Sequence, residues 1–302
     1  MLLFWIVFNA IIVVLLLIDL AATNRGGRVL SFKQALLSSA VWIVLALAFA
    51  LFVHRWMGAT KSLEFITGYL VEEALSVDNL FVFILLFKYF KVPPEQERTV
   101  LFWGILGALV MRGAFILLGV SLVKRFEWIL YLLGAFLIYS GIQLMREGEE
   151  EQVDPSRNFA LRLARKFLPI SQDFEGSRFM VRQEGRLSMT PLFIVLLVVE
   201  TTDILFATDS IPAILAISRD PFIVYTSNVF AILGLRSLFF ALAALIKLFR
   251  YLNYGLAVVL MFIGVKMLVG MKYMIPTWMT LVVVAVVLAT SVVASVLRPK
   301  TS

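Results

Sequence analysis

The sequence predicts an all-α polytopic membrane protein of about nine transmembrane helices, six of them forming two inverted three-helix repeats. Three observations predict it. Of 302 residues, 61 % are hydrophobic and 16 % charged, with a mean hydropathy of +0.96; a soluble chain keeps roughly a quarter of its residues charged. Apolar runs of about 20 residues, enough to cross ~30 Å of hydrocarbon, recur along the whole chain. Two of these runs are broken by carboxylates in matching patterns.

The runs fall at residues 2–20, 35–53, 63–87, 99–122, 127–145, 190–217, 222–246, 252–271 and 275–297. The first lacks a basic start and a small-residue cleavage site, so it is expected to stay as a helix rather than be removed as a secretory signal. Asp19 closes it as an end marker, where an interfacial carboxylate costs little. His54, the lone histidine, ends the second run and reads as interfacial. Residues 1–62 are thus an N-terminal helix pair. Residues 63–145 form the first repeat, 146–188 a cytoplasmic loop, 189–272 the second repeat, and 273–302 a final helix with the C-terminal tail. All belong to one integral membrane domain, 1–302. In the loop, "REGEEEQ" precedes "SRNFALRLARKFL", where Phe159, Leu163 and Phe167 share one helical face. A solvated connector is expected there, with an amphipathic helix on anionic lipid as the alternative.

The repeats are read from three matches in the same order. Glu72 and Asp78 lie six apart in "VEEALSVDNLF", followed by Asn79; Asp203 and Asp209 lie six apart in "ETTDILFATDSIPA", followed by Ser210. The next run of each half has an arginine after an Ile-Leu-Gly step, Arg112 in "ILGALVMRGAF" and Arg236 in "ILGLRSLFF". The third run matches "FLIYSGIQLM" to "VLMFIGVKML", aligning Gly141 with Gly264. Three helices per repeat is an odd number, so the second copy enters the membrane upside down, as in secondary transporters with midplane sites. Glu73 and Glu200 have no counterpart in this alignment.

Lysine and arginine set the orientation. With the N-terminus outside, eighteen fall in inner loops and six in outer ones, which places the C-terminus in the cytoplasm. The net charge of +7 sits at span ends rather than on one patch, so no nucleic-acid partner is expected; the partners are the bilayer and a cation. With no cysteine, disulfide, thiolate-metal and thiol redox chemistry are excluded.

A carboxylate at a helix centre costs ~2.5–3.5 kcal/mol on insertion scales. Six stand at that depth (Glu72, Glu73, Asp78, Glu200, Asp203 and Asp209) against Arg112, Arg236 and Lys266. Pairing leaves three charges over, which protonation or a bound cation must neutralise. At about 100° per residue, Glu72, Ser76 and Asn79 share one face, as do Asp203, Ala207 and Ser210. Asp78 and Asp209 point elsewhere. Pro212 can open the helix beside Asp209, and two adjacent sites or a relay are the alternatives. Arg112 and Arg236 serve either as gating counter-ions or as helix glue. Asn228 is either an amide ligand or an interhelical hydrogen bond. Without cysteine, and with methionine absent from both motifs, the donors are oxygens, which suit Mn²⁺, Ca²⁺ or Mg²⁺.

"EEALSVDNLFVF", "ETTDILFATDSIPAI" and "TSNVFAILGLR" resemble the signature stretches of the TerC family of integral membrane proteins, in particular its Alx-type bacterial branch. The resemblance implies a multi-pass bacterial inner-membrane protein linked to manganese export and associated with tellurium resistance. It implies Glu72, Asp78, Asn79, Glu200, Asp203, Asp209 and Ser210 as metal-site residues. The expected function is therefore export of Mn²⁺ as substrate, without a tightly bound cofactor and without enzyme activity. Export of organic cations or amino acids, or Ca²⁺/H⁺ exchange, are the alternatives. Tellurite transport is disfavoured because an acidic pocket repels anions, and an aspartyl protease because neither "SVDN" nor "ATDS" supplies Gly-x-Gly-Asp.

Overall fold

The computed structural model describes residues 2–24, 31–147, 171, 174–183, 186–245, 251–269 and 275–297. Nine helices stand among them: α1 (Leu2–Asn24), α2 (Phe32–Met57), α3 (Ala59–Tyr89), α4 (Pro94–Arg125), α5 (Ile129–Glu147), α6 (Pro191–Leu215), α7 (Pro221–Leu245), α8 (Leu252–Val269) and α9 (Thr277–Leu297). By length and composition six of these described helices can cross a membrane: α2, α4, α5, α6, α7 and α9. In α1 and α8 the apolar stretch is shorter, Phe4–Leu16 and Asn253–Val269. α3 is long enough at 31 residues but carries Glu72, Glu73 and Asp78. The molecule is an all-α, multi-pass integral membrane protein.

Helix ends are set by local chemistry. Ser31 and Gln34 form a reciprocal capping box that opens α2, satisfying two otherwise free N–H groups. Thr190 accepts from the Phe193 N–H, with Pro191 as the first residue of α6. Asp220 accepts from the Phe222 N–H at 3.0 Å at the head of α7. Gly58, at φ +91°, turns the chain between α2 and α3, a backbone conformation that side chains resist.

α3 and α7 form the buried heart, each packed on the other. α7 is enclosed on nearly every side, with an aromatic cluster of Phe8, Phe49, Phe65, Phe222 and Phe230 tying α1, α2 and α3 to it. Outer faces of α2 and α4 present large apolar side chains such as Leu37, Val44, Leu51, Val110 and Leu118, as a lipid-facing surface requires.

The two halves cross-pack. α3 lies on α7, α4 on α6, and α5 on α8; exchanging the halves turns the first pair into the second and leaves the third unchanged. Gly68 stands beside Ser227 and Gly234 beside Glu73, so α3 and α7 run in the same direction. Gly104 meets Val199 and Gly119 meets Leu215, so α4 and α6 do too. α5 and α8 are antiparallel: Gly134 sits on Gly264, and Gly141 on Ala257 and Met261. A Cβ on Gly264 would lie 2.6 Å from the Gly134 carbonyl oxygen, and one on Gly141 would lie 2.8 Å from that of Ala257. Backbone cannot yield there, so this pair needs small residues to approach.

The end of α6 meets the start of α3, where Ser218 donates to Glu64 at 2.5 Å. Single cysteines at Lys61 and Arg219 are therefore expected to react with an impermeant thiol reagent from one side of the membrane. Cysteines at Lys91 and at Leu187, exposed at 47 %, should react from the other. The cysteine-free background makes the assay direct, and labelling of 61 and 219 from opposite sides would contradict this arrangement.

Among the described residues of the loop, 171, 174–183 and 186–190, paired strands stand where a plain connector is expected. Met180–Gln183 (β1) pairs antiparallel with Arg186–Met189 (β2), Met180 opposite Met189. Val181 and Ser188 point inward, and Thr99 donates to Ser177 at 3.4 Å beside a Trp103–Phe179 edge contact. A hairpin thus docks on the start of α4. The alternative amphipathic helix, with Phe159, Leu163 and Phe167, lies outside the described residues.

Candidate functional site

Arg112 sits midway along α4, with only 1 % of its surface exposed. Its guanidinium spans the two halves. Nη1 donates to Glu72 Oε1 on α3. Nη2 and Nε donate to the two carboxylate oxygens of Asp203 on α6, at 2.8 and 3.1 Å. This is the fork-to-fork geometry that makes arginine–carboxylate pairs strong and directional. Glu72 and Asp203 are the first carboxylates of the two matching motifs, so one cation joins equivalent positions.

The remaining polar atoms around this clamp are not all satisfied. Glu72 Oε2, Glu200 Oε2, Ser76 Oγ and Ser210 Oγ are buried without a hydrogen-bond partner, as are Glu73 Oε2 and Asn228 Nδ2. Buried polar groups are normally paired, so the free carboxylate oxygens of Glu72, Glu73 and Glu200 are acceptors open to a cation, whereas Asn228 Nδ2 is a donor without an acceptor. Asn79 is buried beside them in α3. Arg236, in α7, is buried and engaged.

Helical spacing sends the motif carboxylates to different partners, as expected from their angles. Asp203 turns to α4 and Arg112. Asp209, half-buried, instead accepts from Ser140 Oγ of α5 at 2.8 Å. The side chain of Asp78 lies outside the described residues. Among the described residues no three acidic or histidine side chains converge as a ready-made metal cage; the guanidinium of Arg112 stands between Glu72 and Asp203.

Two sequence readings need correction. Lys266 was counted among cations available to the carboxylates, but it lines a cavity at the end of the bundle where α3 begins. The six carboxylates therefore have at most two arginines. Glu73 and Glu200 do have matching positions: the Glu73 carboxyl lies by Gly234, and that of Glu200 lies tight against Gly107. These are the glycines of the two Ile-Leu-Gly steps. The equivalence arises from cross-packing rather than from motif alignment, which is why spacing missed it. Glu200 also lies close enough to Asp203 to repel it. Ser140 was missed too, although it stands beside the aligned Gly141 in "FLIYSGIQLM".

The sequence model of the integral membrane protein TerC family matches residues 57–302. An uncharacterised membrane protein of Myxococcus xanthus is 45 % identical over 296 residues, 98 % of this chain and 92 % of that protein. One from Rickettsia bellii (strain RML369-C) is 39 % identical over 294 residues, 97 % of each. A protein of Escherichia coli (strain K12) named Alx, described as a proposed membrane-bound redox modulator, is 43 % identical over 291 residues, 93 % of this chain and 90 % of its own. No solved structure matches.

Proposed function

Given that the chain belongs to the integral membrane protein TerC family, we propose that it exports a divalent cation, Mn²⁺ foremost, through the carboxylates between its two halves. The observation that carries this reading is the Arg112 clamp. A buried pair of equivalent carboxylates that holds a guanidinium is a cation-binding element, and the charge around it is in excess. The substrate would meet Glu72, Asp203, Asp209 and Glu200, with Asp78, Asn79 and Ser210 completing an oxygen-only set that suits hard divalent ions.

Residues 63–145 and 189–272 are taken as inverted repeats. The exchange symmetry of the α3–α7, α4–α6 and α5–α8 pairs supports that reading, and transporters of this kind bind substrate where their repeats meet. Arg112 then acts as a tethered counter-ion: it neutralises Glu72 and Asp203 when no metal is present and withdraws when metal arrives. Its side chain, once displaced, leaves the carboxylates free for the ion and prevents an uncompensated cluster on the return step. The protein resides in the bacterial inner membrane with N-terminus outside and C-terminus in the cytoplasm. It is a transporter and not an enzyme. The redox description given to Alx can be met through metal supply, and this chain has no cysteine for thiol chemistry.

A second reading draws on the same clamp. A site that holds a guanidinium bidentately also suits organic cations or amino acids carrying such a group. Proteoliposomes loaded with a metal-sensitive dye separate the two. Mn²⁺ is expected to give flux above empty liposomes, with Ca²⁺ and Mg²⁺ weaker and Zn²⁺ without effect. Guanidinium and arginine should not compete. Competition by these compounds without any metal flux would favour the organic-cation reading and overturn this one.

A further inference from the structure

We infer that the end of the bundle where α3, α5 and α9 begin, and α6 and α8 end, binds a phosphate-bearing anion, independently of the cation site. A cavity of about 500 Å³ opens there between these five helices. Lys266 lines it although the residue is only 8 % exposed. Among the described residues its ammonium has neither a hydrogen bond nor an ion pair. The carboxylate that acts on it electrostatically, Glu64, is shared with Lys61 and Ser218, whose donors both reach its Oε2, at 2.8 and 2.5 Å. One carboxylate shared between two lysines leaves the Lys266 ammonium only partly neutralised where it lines the cavity, so an anion bound there gains a favourable partner.

Two further features converge on the same space. Arg219 lines the cavity, and its ion pair with Glu127, at 3.4 Å, joins side chains that are 52 % and 67 % exposed. Such pairs hold weakly, so this guanidinium can turn inward at little cost. The first turn of α9 forms the rim through Pro276, Thr277 and Trp278. Met279 N–H already donates to the Pro276 carbonyl, which leaves those of Thr277 and Trp278 at the rim, and the helix dipole favours negative charge at that end. Among the described residues no acidic side chain lines the cavity. Ammonium, guanidinium and helix N-terminus together recognise phosphate oxygens.

The source can be a lipid headgroup or free phosphate. Leu130 and Met267 give the cavity apolar walls, and Trp278, 55 % exposed, sits as tryptophans do at the headgroup level of a bilayer. Thermal melting of the purified full chain in neutral detergent tests this with three probes: phosphatidylglycerol, phosphatidylcholine and inorganic phosphate. Phosphatidylglycerol should raise the melting temperature and net-neutral phosphatidylcholine should not. Lys266→Met should lose more than half of the rise, while Lys266→Arg should keep it. An equal rise with inorganic phosphate alone supports the anion site and assigns it to free phosphate. Should Lys266→Met fold poorly, Arg219→Gln gives the same comparison from the rim. The proposal fails if neither anion raises the melting temperature, or if the charge-removing variants respond like the wild type.

Discussion

Replacing Arg112 with methionine is expected to destabilise the protein by about 3–5 kcal/mol, because Glu72 and Asp203 are then left buried and unpaired. Methionine fills most of the volume, so the loss reports charge rather than a cavity. The informative part is its dependence on metal. If Arg112 is a tethered substitute for the transported ion, Mn²⁺ can take its place between the two carboxylates. Melting of Arg112→Met in detergent should then recover with millimolar Mn²⁺ by more than the wild type gains, since ligand binding to the folded state adds directly to stability. Transport should be lost in either case. A variant that stays equally unstable with and without Mn²⁺ would make Arg112 helix glue.

Much of this arrangement is legible in the sequence because carboxylates at membrane depth stand out against apolar runs. The six-residue spacing within each motif and the surplus of negative charge are visible without coordinates. So is the divergence of the two carboxylates in a motif, since helical angles are local. What cannot be read is which carboxylate a cation on another helix will reach. The sequence does not say which of the six acids Arg112 reaches, and only the packing of α6 against both α4 and α3 brings Glu72 and Asp203 to it. Lys266 shows the opposite failure. It lies inside an apolar run, yet its depth along α8 puts it at the end of the bundle rather than beside the acids. The hairpin at 180–189 escaped because two four-residue strands leave too short an alternation to separate from a connector.

The second large effect belongs to Asp209, and it contrasts with Asp203. Asp209 takes one hydrogen bond, from Ser140, and asparagine can still accept it through its amide oxygen. Asp209→Asn is therefore expected to fold and insert as the wild type does, while relieving repulsion in the acidic cluster. Asp203→Asn breaks a bidentate pair with a fully buried guanidinium and should lower folded yield. Asp78→Asn, in the matching motif position, should behave like Asp209→Asn, and Asp19→Asn should change neither yield nor transport. Hard-cation affinity follows ligand charge, so the well-folded Asp209→Asn protein should nevertheless lose its metal.

Binding of Mn²⁺ to the purified protein, followed by loss of the free-ion electron paramagnetic resonance signal, therefore tests the cation site most directly. The wild type should remove Mn²⁺ from solution saturably, and Asp209→Asn, matched for folded protein, should lower the affinity at least tenfold. A wild type that leaves the free Mn²⁺ signal unchanged, or an Asp209→Asn protein that binds as tightly as the wild type, would contradict the assignment of this acidic cluster as the metal's path.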